Sequence, residues 1–221
     1  MTNSIRAFIS FSIAELALGL LAVATAQSPH NHHGSGKPQP DQADVAAADG
    51  FIKAKDYAKA LPLLHKAADA GNGKAMVKLG LISFTGKGGQ RRDEGAALAW
   101  YKKAVKVGEP SGMTELGSMY MSGSGGAPKD QPQALQWYKK AGAAGDSMGL
   151  NYVGVIYLNG FCGVKKDEVA ALTWFHKAAD LGNTQAMKNI GMMYEQGKGG
   201  LKIDIPQSRI WFKKASSRRK S

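Results

Sequence analysis

The sequence predicts an all-α protein, an array of helical hairpins with a 37-residue period. Three observations carry this. The chain repeats itself: Trp100, Trp137, Trp174 and Trp211 stand 37 residues apart. The same step separates Gly80, Gly117, Gly154 and Gly191; Gly86, Gly123, Gly160 and Gly197; Asp93, Asp130, Asp167 and Asp204; and Ala104, Ala141, Ala178 and Ala215. A fixed period of this length marks a repeat architecture. Second, Ala134, Trp137, Tyr138 and Ala141 fall at i, i+3, i+4 and i+7, one face of a helix, and the face recurs in the other copies. Third, a Gly-rich turn breaks every copy: GKGG at 86–89, GSGG at 123–126, GFCG at 160–163 and GKGG at 197–200.

Taken in order, residues 1–26 read as an export signal. Arg6 gives the positive start, Leu16 to Ala24 the apolar run, and Ala24-Thr25-Ala26 the cleavage box, so the mature chain is expected to begin at Gln27. That run is about half the ~20 residues a spanning helix needs. The expected location is therefore periplasmic or secreted, with no membrane span after cleavage. Residues 27–41 form a linker rich in His, Pro and Gly. Residues 42–71 form a first, shorter hairpin. Its second helix, from Asp56, matches the register of the later ones with Leu63 in the Trp slot.

The repeats proper are 72–108, 109–145, 146–182 and 183–215, followed by a basic tail at 216–221. Each opens near Asn72, Glu109, Asp146 or Asn183, three of them good N-caps. Gly80 and its counterparts sit mid-helix, where glycine costs about 1 kcal/mol against alanine. Four such costs at one register imply that a partner helix comes very close. The Asp column is placed to cap the second helix, and Pro132 and Pro206 lie in its first turn, where a missing amide does no harm.

The formal net charge is +12, with 43% hydrophobic and 21% charged residues. Such a surface favours anionic partners. For an exported protein that directs attention to envelope polyanions and acidic proteins, and no nucleic-acid partner is expected. The stretch ALQWYKKAGAAG (134–145) sets Trp137 and Tyr138 against Lys139 and Lys140, as a base-stacking platform would. Its periodicity instead puts the aromatics on the packing face and the lysines near the helix C-terminus, where they complement the dipole. The one cysteine, Cys162, cannot supply a disulfide framework within the chain.

With these columns in place, the sequence resembles the Sel-one-like repeat (SLR) family of the tetratricopeptide-like superfamily. The residues that carry the resemblance are Leu116, Gly117 and Tyr120, the Gly-rich turn, and then Asp130, Ala134, Trp137, Tyr138, Lys140 and Ala141. It covers 72–215 densely and 42–71 partially. It implies an α-solenoid that binds a protein or peptide in its concave groove, as an exported scaffold or adaptor. A cysteine-rich branch of the family is associated with β-lactam binding or hydrolysis, and one cysteine departs from that branch.

No catalytic motif is present, and no cofactor is expected. The Gly-rich turns lack the Lys-Ser/Thr pair of a phosphate loop. Cys162 shares a repeat with His176, but across a turn. Asp93-Glu94 and Asp167-Glu168 fall in helix first turns, where capping accounts for them. His30, His32 and His33 form a tract of the metal-binding type, read here as solvated linker. The groove is expected where repeats differ while packing columns stay fixed, which nominates Lys74, Val77, Thr114, Met148, Asn151 and Lys188. The leading expectation is a non-enzymatic interaction module. The alternatives are a basic-surface binder of envelope polyanions and, behind it, an enzyme acting on β-lactam or cell-wall substrates.

Overall fold

A computed structural model describes residues 40–218. The signal region, His30, His32, His33, nearly all of the linker and the last three residues of the tail lie outside the described residues. The described chain is all-α, with ten helices and no strand. They are α1 (Pro40–Lys53), α2 (Tyr57–Asp69), α3 (Gly73–Thr85), α4 (Glu94–Lys106), α5 (Pro110–Ser122), α6 (Gln131–Ala143), α7 (Ser147–Asn159), α8 (Glu168–Asp180), α9 (Thr184–Gln196) and α10 (Ile205–Ser217). The last helix runs two residues past the expected end of the repeat, into the expected tail.

The helix boundaries follow from capping chemistry. Asn72, Asp146 and Asn183 cap α3, α7 and α9 through their side-chain oxygens. Each second helix is capped by its Asp. Asp93, Asp130, Asp167 and Asp204 accept from the amide three residues on, at 2.8, 2.9, 2.8 and 2.8 Å. The same Asp residues donate their own N–H to the carbonyls of Ser83, Tyr120, Tyr157 and Tyr194 at 2.8–3.0 Å. That bond closes the long turn onto the helix before it. Gly86, Gly160 and Gly197 end their helices in the left-handed conformation, which a Cβ disfavours.

The residues divide into two compact units. The first comprises the chain up to Gly112 with Ser122–Pro128, so it holds α1–α4. Its core is built from Ala48, Leu64, Ala75, Leu79, Tyr101 and Ala104, all buried. The second comprises Met113–Met121 and the chain from Lys129 on, so it holds most of α5 and all of α6–α10. Its core is built from Leu116, Tyr138, Val153, Phe175, Ile190 and Met193.

The mid-helix glycines make close approaches, as their register implies. A Cβ on Gly80 would lie 2.5 Å from the Tyr101 ring, on Gly117 2.8 Å from Tyr138, on Gly154 2.6 Å from Phe175 and on Gly191 2.9 Å from Phe212. Carbon atoms in good contact stand about 3.5–4.0 Å apart, so each hairpin closes only because these four positions carry no side chain.

One expectation about the second helices needs correcting. Ala134, Tyr138 and Ala141 are buried, but Trp100, Trp137, Trp174 and Trp211 are only half-buried, at the edge of the packing face. The i+3 position sits at the margin of that face, so one side of each ring is covered by the lysine three residues further on and not by a neighbouring helix.

Candidate interaction surfaces

The first helices of the second unit carry a polar face. Thr114 Oγ1 donates to Asp146 Oδ2, and Asn183 Nδ2 donates to Ser147 Oγ at 3.4 Å, so α7 and α9 each have a capping residue tied to the first helix before it. Asn189 Nδ2 donates to Asn151 Oδ1 at 3.0 Å, and Gln185 Nε2 donates to Asn189 Oδ1 at 3.4 Å. Beside this amide chain stand Glu115 and Tyr152, both half-buried. The Tyr152 ring packs 4.8 Å from Tyr138, whose hydroxyl meets Ser118 Oγ at 3.1 Å. Burial raises the Tyr138 phenol well above its ordinary value. Burial likewise pushes the Glu115 carboxyl up to about 7, and the nearby Asp146 charge adds to this.

The nominated groove residues divide. Lys74 and Lys188 are exposed and Met148 is half-buried, so a partner can reach all three. Val77, Thr114 and Asn151 are 4%, 2% and 3% exposed and cannot touch a partner. In the same column only Lys188 is exposed, while Thr114 and Asn151 face a neighbouring helix. Asn151 presents its amide to Asn189, and Thr114 its hydroxyl to Asp146. The adjacent varying column was not nominated, yet two of its residues in this unit, Glu115 and Tyr152, are half-buried, while the third, Asn189, is buried. The signal was a one-residue offset that periodicity alone does not resolve.

The second helices carry a different pattern. In the first unit Lys103 Nζ lies 4.0 Å from the Trp100 ring centre. In the second, Lys140 lies 4.5 Å from Trp137, Lys177 4.5 Å from Trp174 and Lys214 4.3 Å from Trp211. An ammonium over an indole face is worth about 0.5–1 kcal/mol when exposed. The expectation that Lys140 serves the helix dipole alone is therefore incomplete. The His176 ring meets Trp211 edge-on at 5.4 Å.

Cys162 is 5% exposed, and burial pushes its thiol up to about 11. It takes φ 59° in a turn, with its Sγ 4.0 Å from Met121 Sδ. The thiolate is the nucleophilic form of a cysteine, and this environment suppresses it. Among the described residues no group of three His, Cys, Asp or Glu could hold a metal ion, and no helix is long and apolar enough to cross a membrane. Glu94 and Glu168, read as dipole partners, also bridge repeats. Glu94 Oε2 accepts the Gly125 N–H at 3.1 Å in the first unit, and Glu168 Oε2 the Gly199 N–H at 3.3 Å in the second.

Helical hairpins in strict register define an all-α helical-repeat protein. The chain belongs to the Sel1 repeat family, whose model matches residues 40–72, 73–108, 110–146, 147–183 and 184–219. The first match covers the shorter opening hairpin as a fifth repeat. Proteins of this family generally mediate protein–protein interaction and are typically non-catalytic scaffolds.

Among solved structures, the chain is similar to a Sel1 repeat protein from Oxalobacter formigenes, with 27% identity over 79% of this chain and 70% of that one, at TM-score 0.71. It is similar to c5321, a protective antigen present in uropathogenic Escherichia coli strains, with 27% identity, 80% of this chain and 46% of that one, at TM-score 0.59. It therefore spans less than half of that protein's length. A third is Pseudomonas aeruginosa 5086, with 25% identity, 85% and 69% coverage, and TM-score 0.64. No curated protein matches by sequence.

Proposed function

We propose that the protein is an exported scaffold that holds a segment of an envelope or secreted protein against the first-helix face of its second unit. The observation that carries the reading is the chemistry of that face. Tyr152 offers a half-exposed ring, Glu115 a half-buried carboxyl that makes no ion pair among the described residues, and Gln185 and Lys188 exposed polar ends. A half-exposed aromatic on a face with exposed polar ends suits a peptide segment anchored by the ring. Export rests on Arg6, the apolar run Leu16 to Ala24, and the Ala24-Thr25-Ala26 box. A second reading, binding of an anionic envelope polymer, draws on the +12 charge and predicts retention that moderate salt removes.

The test is affinity co-purification from an envelope extract at low and moderate salt, with the chain and a Met148→Ala/Gln185→Ala/Lys188→Glu variant as baits. The expected result is a discrete protein retained at both salts by the first bait and lost from the second. Equal retention by both baits overturns the assignment of the face.

A further inference from the structure

In the second unit each second helix carries the next first helix, α6 carrying α7 and α8 carrying α9. The seat is visible in what it covers. Leu150 of α7 lies over Gly142 of α6, where a Cβ would stand 2.8 Å from Leu150 Cγ. Tyr138 and Phe175, on α6 and α8, are buried, and Asp146 at the start of α7 accepts from Thr114 on the first helix before it. One or two periods of 37 further on, the last repeat presents the same positions open. Phe212, the counterpart of Tyr138, is half-buried, and Ser216, the counterpart of Gly142, is exposed. Met192 is exposed where Val155 is half-buried. Three positions have become charged: Lys188 for Thr114 and Asn151, Glu195 for Leu158, and Arg209 for Leu135 and Leu172, all three exposed. Among the described residues no helix covers this face, and neither Lys188 nor Arg209 makes an ion pair.

We propose that this face of α9 and α10 is a docking surface for an amphipathic helix of a partner protein whose first turn is acidic, seated as α7 is seated on α6. The occupant follows from charge complementarity read through the repeat. Asp146 opens α7 beside Thr114, so the first turn of a helix in the open seat lies beside Lys188. Carboxylates are favoured in a helix first turn on their own account, and the ammonium adds to that. Phe212 and Met192 take the apolar side, as in helix-in-groove recognition. Ser216 leaves room for a large apolar residue, as Gly142 does for Leu150. A wholly apolar helix would bury Lys188 and Arg209 without partners, which is costly. The first helix that a second copy has open is α1, whose exposed side is Ala43, Ala46, Ala47 and Gly50, none large enough to fill the place of Leu150. Lys188 also belongs to the first-helix face above, but Ser216 does not, so the two readings fail separately.

The test is fluorescence anisotropy with the full chain and a labelled peptide of residues 183–196 carrying Asn183→Asp, Gln185→Glu and Lys188→Glu. This peptide keeps the buried side of α9, with Ala186, Met187, Ile190 and Met193, and has an acidic first turn. The comparison peptide has the same composition, scrambled so that no apolar side forms. The designed peptide is expected to bind about tenfold tighter or more. Ser216→Trp fills the seat and should lose about tenfold or more of that affinity. Ser217→Trp is the control: its counterparts Ala143 and Asp180 are exposed even where a helix follows, so it should lose less than about threefold. Absence of saturable binding by the designed peptide, equal binding of the two peptides, or equal loss in the two variants overturns the proposal. So does self-association of the chain, read by sedimentation, that Ser216→Trp abolishes, which would assign the face to a second copy. The peptide comparison needs no variant, so a folding defect in either one cannot mask the outcome.

Discussion

Replacing Gly154 by Ala tests why the hairpins close. In an open helix the change gains about 1 kcal/mol. In α7 the new Cβ would stand 2.6 Å from two atoms of the Phe175 ring, which is fully buried. Ordinary contact needs about 3.5 Å or more, so the ring or the helix has to move by roughly 1 Å inside a close-packed core. Overpacking of this kind costs about 1–3 kcal/mol, and it must first cancel the propensity gain of about 1 kcal/mol. The expected net change is therefore a loss of up to about 2 kcal/mol, read by urea unfolding followed by circular dichroism. A cycle with Phe175→Leu isolates the cause. Leu removes the ring edge, so Gly154→Ala should cost nothing or stabilise in that background, a coupling of at least about 1 kcal/mol. If Gly154→Ala destabilises equally in both backgrounds, steric closure on Phe175 is not why glycine stands there.

Gly50 supplies the opposite sign: it is exposed in α1 and a Cβ there meets nothing within 4 Å, so Gly50→Ala should stabilise by about 0.5–1 kcal/mol in the same assay. Glu115, raised to about 7 by burial, binds its proton more tightly folded than unfolded, so its contribution to stability declines as pH rises from about 4.5 to about 7. The full lift at 1.4 kcal/mol per tenfold is about 3 kcal/mol, and partial solvation reduces the expected effect to about 1–2 kcal/mol. Glu115→Gln should therefore stabilise the protein at pH 8 and leave it unchanged near pH 4, as read from urea midpoints at the two pH values. Asp167→Ala should cost about 1 kcal/mol through loss of the α8 cap, with Asp167→Asn retaining most of it. Native Cys162 should react with a disulfide reagent at pH 8 far more slowly than the urea-unfolded chain, because its thiol is held up near 11.

The architecture was legible because each repeat restates the same physical constraints. The Asp column caps, the glycine column admits Tyr101, Tyr138, Phe175 and Phe212, and the turn glycines take left-handed angles. Four copies of one signal leave little room for another fold. The surfaces were harder to read. Variation at Thr114 and Asn151 pointed to solvent, but both are buried polar residues that pair across helices. Variation marks a position free of the repeat's own packing rule, not one that meets water. The Trp–Lys pairing was present in the W-[YF]-x-K spacing. What the spacing lacked was exposure, because an aromatic one helical step from the core reads the same whether its outer edge is covered or not.

The bond from each capping Asp N–H to the carbonyl at Ser83, Tyr120, Tyr157 or Tyr194 uses only main-chain atoms. Turn closure there makes no demand on the side chain, which is why a serine serves where three tyrosines do elsewhere. Tyr120, Tyr157 and Tyr194 also pack against the core, so of the four it is Ser83 where chemistry can be exchanged without altering the length or path of the hairpin. A grafted ligand-binding group placed there would inherit a rigid anchor on both sides.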